Sequence, residues 1–69
     1  MRIDGAKLRE LRYDMGMTQE ELASVAGSAP ETLSRIENEG NSRRVTDRIL
    51  RGLASALRVP IVDLLGEEE

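Results

Sequence analysis

Two helix-start signals stand ten residues apart in this chain, and no other feature constrains its fold as tightly. Thr18-Gln19-Glu20-Glu21 has the pattern of a capping box: the Thr18 hydroxyl accepts from the Glu21 backbone N–H, and the Glu21 carboxylate reaches back to Thr18. Ser28-Ala29-Pro30-Glu31 repeats the device, with Pro30 in the first turn, where its missing N–H costs nothing. Gly27 lies between them, at the position where a helix closes in a left-handed cap. The first of these helices has room for about two turns before the next begins. A short helix, a tight corner and a second short helix must follow one another here.

The rest of the chain reads as helix too. Asp4 caps a first helix running to about Met15, with Leu8, Leu11 and Met15 on one face and Gly16 at its end. The second helix buries Leu22, Ala23 and Ala26. The third runs from about Ala29 to Asn38 and is followed by a loop containing Gly40 and Asn41. Thr46 caps a fourth helix through Leu57, whose apolar stripe is Ile49, Leu50, Leu53, Ala54 and Leu57. Gly52 falls on the opposite side and weakens this helix by about 1 kcal/mol relative to alanine. A short fifth helix, about Ile61 to Leu65, follows Pro60. β-Branched residues are scattered and no stretch alternates, so no strand is expected. The expectation is an all-α, compact five-helix bundle.

At 69 residues the chain holds one domain, assigned to residues 1–66, with an acidic tail at 67–69. Without cysteine or histidine it has no disulfide framework and lacks the usual zinc ligands, so neither metal nor cofactor is expected. No apolar run approaches the roughly 20 residues that span a bilayer, and the opening Met1-Arg2-Ile3-Asp4 is no signal peptide. A cytoplasmic protein with no membrane partner is expected. An enzyme is not: there is no phosphate-cradling Gly-rich loop, Lys7 is the only lysine, and Glu20 and Glu21 suit a helix dipole better than acid–base chemistry. Single-stranded nucleic acid is a poor partner, because stacking needs aromatics and Tyr13 is the only one.

The net charge of −3 at first weighs against any nucleic acid. Glu67, Glu68 and Glu69 account for all of that excess, and every basic residue lies at or before Arg58. Arg43, Arg44, Arg48 and Arg51 cluster, although a solvated loop and helix face would give the same pattern.

Two short helices joined across Ala26-Gly27-Ser28 have the form of a helix-turn-helix. On a helical projection of the third helix, Ala29, Leu33 and Ile36 share the buried side. Glu31, Ser34, Arg35 and Asn38 lie opposite, flanked by Pro30 and Thr32. Such a face suits a major groove, and a solvated amphipathic helix would look similar. The sequence also resembles the phage-repressor (Cro-like), or xenobiotic-response-element-type, helix-turn-helix family. The resemblance rests on Leu11-Arg12, Thr18 to Ala23, Gly27, Thr32 to Glu37, Leu53 to Leu57 and Asp63-Leu64-Leu65. It covers nearly the whole chain, and the order and spacing of these fragments are highly specific.

That resemblance implies a lambda-repressor-like five-helix domain in which helices 2 and 3 form the motif. It implies a cytoplasmic transcriptional regulator, a repressor by expectation, binding double-stranded DNA sequence-specifically as a homodimer. Gln19 matches a position that contacts a phosphate or base edge. Pro30, Glu31, Ser34 and Arg35 match base-reading positions, Asn38 a phosphate contact, and Arg43 and Arg44 a loop that tracks phosphates. Dimerisation near the fifth helix falls on the apolar residues Val59, Ile61, Val62 and Leu65. Two lines meet on an ion pair between Arg12 and Glu37. Each lies about 40° round its helix from a core leucine, Leu8 or Leu33, where a charge needs a partner; the family pattern also pairs these positions.

The departures matter as well. The Glu37-to-Leu53 stretch is about two residues longer than usual, Arg58 replaces a glycine, and Pro60 replaces a capping serine. The reading helix begins Ala29-Pro30-Glu31, leaving Arg35 as its one strong guanine reader. The neutral core and acidic tail motivate an alternative: a helix-turn-helix used as a protein-interaction module, or an antitoxin-like partner, with weak DNA binding. A further protein partner or a second domain beyond this chain is compatible with either.

Overall fold

The computed structural model of the protein describes residues 2–39 and 45–66. Their order is α1 (Gly5–Asp14), α2 (Gln19–Ala26), α3 (Pro30–Glu39), α4 (Asp47–Leu57) and a 3-10 turn at Ile61–Leu64. Among the described residues there are four α-helices, so the expected fifth is corrected to one turn of 3-10 helix. Pro60 and Leu65, both in extended conformation, leave only four residues between them, too few to build α-type hydrogen bonding.

The starts of three helices are fixed locally. The Asp4 carboxylate accepts from Ala6 N and Lys7 N, Thr18 and Glu21 form the reciprocal capping box, and Thr46 accepts from Ile49 N. The third start is shifted by one residue from the expectation. The Ala29 carbonyl accepts from Thr32 N and Leu33 N, so Ala29 rather than Ser28 occupies the cap position and Pro30 is the first helical residue. Ala29 is consequently exposed, not part of the buried stripe.

Three helix ends share one device. Met17 N donates to Arg12 O, Ser28 N to Ala23 O and Val59 N to Ala54 O, each closing a helix around one residue at positive φ. Two of those residues are Gly16 and Gly27; the third is Arg58, at φ 59°. A side chain in that conformation costs about 1 kcal/mol or more.

The core gathers one face from every element: Ile3, Leu8, Leu22, Ala23, Leu33, Ile36, Leu50, Leu53, Ala54, Leu57 and Leu64. Leu11, Ala26 and Ile49 pack at its edge. Met15, expected on the buried face of α1, lies beyond the helix end, where the helical projection no longer applies, and is exposed. Ile3 was not expected in the core and is fully buried. It sits opposite Leu65 in an antiparallel β-bridge, held by Asp4 N to Leu64 O at 2.8 Å and Gly66 N to Arg2 O at 2.9 Å.

Gly52 also departs from its expected role. It faces α2, and a Cβ built on it would lie 2.5 Å from the Ala26 carbonyl oxygen. The glycine lets α4 approach the C-terminal turn of α2 more closely than any side chain allows. Gly52→Ala should therefore destabilise the domain by about 1–2 kcal/mol in urea denaturation, despite alanine's better helix propensity. A gain in stability would mean that α2 and α4 separate without cost.

Candidate nucleic-acid interface

α3 is amphipathic in the way its sequence requires. Leu33 and Ile36 are fully buried, while Pro30, Glu31, Arg35 and Asn38 are exposed and Ser34 is half-buried. These five side chains share the outward side of one rigid element. Arg43 and Arg44 lie outside the described residues. Arg48 and Arg51 are exposed on the first turns of α4, with Arg51 paired to Asp47 at 2.7 Å.

Behind the outward face lies a buried charge. The Glu37 side chain has no solvent exposure, and that of Arg12 keeps 9%. The Arg12 guanidinium spans the carboxylate, with Nε to Oε2 at 2.8 Å and Nη2 to Oε1 at 3.0 Å, while Nη1 donates to the Met17 carbonyl at 2.8 Å. Such a two-pronged pairing fixes both distance and plane. Gln19 Nε2, on the first turn of α2, donates to Glu37 Oε1 at 3.1 Å. Arg9, one turn before Arg12 on α1, brings Nε to the same oxygen at 3.3 Å and Nη2 to within 3.5 Å of both the Glu37 carbonyl and Asn38 Oδ1. Glu37 thus ties α1 and α2 to α3 and touches or neighbours two of the candidate contact residues, Gln19 and Asn38.

Burial pushes the Glu37 carboxyl up, but the donors around it, Arg12 and Gln19 first, outweigh that and hold it below the usual carboxylate range. The same hydrogen bond to Glu37 raises Arg12, against the effect of burial. The Arg12 guanidinium also lies 4.7 Å from the centre of the Tyr13 ring. Arg9 was missed by the sequence reading. Its signal was its place one turn from Arg12, but at 43% side-chain exposure it falls outside the stripe that a helical projection marks as needing a partner.

The apolar C-terminal residues divide. Val62 is 68% exposed and Leu65 36%, whereas Val59 and Ile61 are half-buried against the core. Among the described residues no cluster of His, Cys, Asp or Glu could hold a metal ion, and no helix is long and apolar enough to cross a membrane.

Removing Glu37 leaves the Arg12 charge without its counter-ion. Glu37→Ala should cost about 3 kcal/mol or more, read by urea or thermal denaturation, while replacing Arg12 and Glu37 together with apolar residues should cost less than either single change. Because the folded carboxyl titrates lower than the unfolded one, its stabilisation is complete above the unfolded value, about 4.3, and fades as pH falls through the folded one. Glu37→Gln should flatten that part of the acid-denaturation profile. An unchanged profile would place the acid sensitivity elsewhere.

Comparison with known proteins agrees with this geometry. The helix-turn-helix family profile matches residues 8–64. A propionyl-CoA carboxylase regulator from Cereibacter sphaeroides is 38% identical over 64 residues, which is 93% of this chain but 13% of that protein. Among solved structures, the restriction-modification controller protein C.AhdI from Aeromonas hydrophila superposes with a TM-score of 0.78 at 33% identity, covering 88% of this chain and 89% of that one. SinR, a master regulator for biofilm formation solved in complex with DNA, gives 0.78 at 28% identity, with 84% and 90% covered. The fold also matches 14% of hydroxyethylphosphonate dioxygenase, at a TM-score of 0.84 and 26% identity over the whole of this chain. A family match over four-fifths of the sequence, on a chain whose second and third helices meet across a glycine corner, shows that this protein belongs to the helix-turn-helix family of the phage-repressor, xenobiotic-response-element type.

Proposed function

We propose that the protein is a transcriptional regulator, a repressor in its simplest mode, that binds double-stranded DNA sequence-specifically by placing α3 in the major groove. The observation that carries this reading is the outward face of α3, where Pro30, Glu31, Ser34, Arg35 and Asn38 are displayed on a helix braced from behind by the Glu37 network. The regulators it resembles, one of them solved on DNA, support it. Residues 1–66 form the binding domain and 67–69 an acidic tail. The proposal includes no catalytic step.

Within the proposal each residue has a distinct task. Arg35 is the cation on the reading face, with the fork that suits guanine O6 and N7. Pro30 offers an apolar contact to a thymine methyl, and Glu31 an acceptor for cytosine N4. Ser34 completes the reading face, Asn38, Arg43 and Arg44 serve the phosphates, and Gln19 contacts the duplex from the first turn of α2. The exposed pair Val62 and Leu65, extended by the edges of Val59 and Ile61, provides a two-fold contact between copies on DNA, setting half-sites about 34 Å apart.

Net charge −3 favours a second reading, in which the fold serves a protein partner and binds DNA weakly. Titration of a duplex selected from a random pool separates the two. With three arginines at phosphates or bases, log affinity should fall with log salt at a slope of about −3 per half-site. Arg35→Ala should relax preference at one base pair by about 1–3 kcal/mol without an equal loss on random duplex. No measurable binding to any duplex at low salt would leave the protein-partner reading.

Assembly has its own test. Val62→Lys should abolish cooperativity between half-sites while leaving the fold unchanged by circular dichroism. Intact cooperativity in that variant would move the interface off this patch.

A further inference from the structure

Two side-chain amides flank the Glu37 network, Gln19 on one side and Asn38 on the other, and the chemistry around each dictates which way it is turned. An amide can face a neighbour with its carbonyl or its NH2, and only the hydrogen-bond partners decide between them. Glu37, held ionised, only accepts, so Gln19 must turn Nε2 toward it. Arginine only donates, so Asn38 must turn its carbonyl toward Arg9. The NH2 of Asn38 is then the group left facing away from α1.

We infer that Arg9 is a positioning residue for duplex binding, holding the Asn38 amide with its NH2 outward so that α3 ends in a hydrogen-bond donor aimed at a phosphate. The inference rests on the DNA-binding reading above for the identity of the ligand, and on the geometry alone for the orientation. Arg9 suits the task. Its Nε is anchored on Glu37 Oε1 and its Nη2 lies between the Glu37 carbonyl and Asn38 Oδ1, so one guanidinium plane spans the side-chain and main-chain acceptors at this end of α3. Each of those contacts is long, at 3.3–3.5 Å, but all draw on the same fixed plane. Arg12 already meets both oxygens of the buried carboxylate at shorter distances than Arg9, so the fold is expected to survive Arg9→Ala. The side chain keeps 43% exposure, so its remaining guanidinium edge adds positive charge beside the amide that it orients. Lysine in its place retains the charge but offers no plane to hold the carbonyl.

Two readouts test this, one without DNA. In the free protein the Asn38 side-chain amide should show restrained motion by nitrogen relaxation; Arg9→Ala and Arg9→Lys should both release it, while the Gln19 amide and the thermal midpoint change little. On a selected duplex, Asn38→Ala should lose about tenfold in affinity, and neutralising one backbone phosphate as a methylphosphonate should remove that penalty. In the Arg9→Ala background, Asn38→Ala should cost nothing further, whereas Arg9→Lys should recover the salt-dependent part of the affinity but not the dependence on Asn38. An Asn38 amide equally mobile with and without Arg9 overturns the inference, as does a full Asn38→Ala penalty in the Arg9→Ala background. A wild-type protein that binds no duplex while its Asn38 amide still depends on Arg9 would instead remove the DNA-binding reading and leave the orientation standing.

Discussion

A carboxylate with no solvent exposure sits where three helices meet, and the geometry of the proposed interface depends on it. Ionised and alone at that depth, Glu37 would cost more than a domain of this size can bear. It is tolerated because a fork of two guanidinium bonds and a third donor from Gln19 replace the water it has lost. The replacements come from two other helices, α1 and α2, so solvating the charge and fixing the helices are one event. α3 carries Glu37 next to Ile36 and one turn from Leu33; rolling α3 to change its outward face would drag the carboxylate from its donors as well as the leucine from the core. A purely apolar contact would resist that roll less, since dispersion has no preferred plane.

Electrostatics also explains how an acidic chain can offer a face to DNA. The relevant quantity is local, and three of the acidic side chains already have partners within the protein. Glu37 is buried and neutralised, Glu21 is turned back onto Thr18 N at 2.9 Å, and Asp47 holds Arg51. Among the described side chains, Glu31 is the acidic one exposed on the outward face of α3, and it opposes any phosphate brought close. Specific acceptance from a base is the task that could justify its presence there.

Much of this was legible from local chemistry. Asp4, Thr18 and Thr46 act within three residues of themselves, so their caps could be read directly. Arg12 and Glu37 were legible because a charge one step from a core leucine has few alternatives to a partner. Two of the misreadings have a non-local cause. Gly52 looked like a weak point of an isolated helix, and its value appears only against the Ala26 carbonyl of another. Ile3 precedes the first helix in no periodic pattern, and its pairing partner is at the other end of the sequence. Met15 and Ala29 were assigned by a helical projection carried one residue past where the helices end. The fifth helix became a 3-10 turn because apolar spacing over so few residues fits either geometry.

The Ile3–Leu65 bridge has a consequence for how the domain comes together and comes apart. It joins the two most distant described segments of the chain, yet the entropy of closing a loop grows only with the logarithm of its length, so this contact costs little more than one spanning half as far. With its flanking Arg2–Gly66 hydrogen bond it is the longest-range pairing among the described residues and belongs among the last to form. Once made, it seats Ile3 in the core beside Leu64 and hydrogen-bonds the two segments to each other. Neither segment can then fray independently, because opening one exposes the apolar seat of the other. Amide protons in both segments should therefore exchange through a single opening event shared with the helical core.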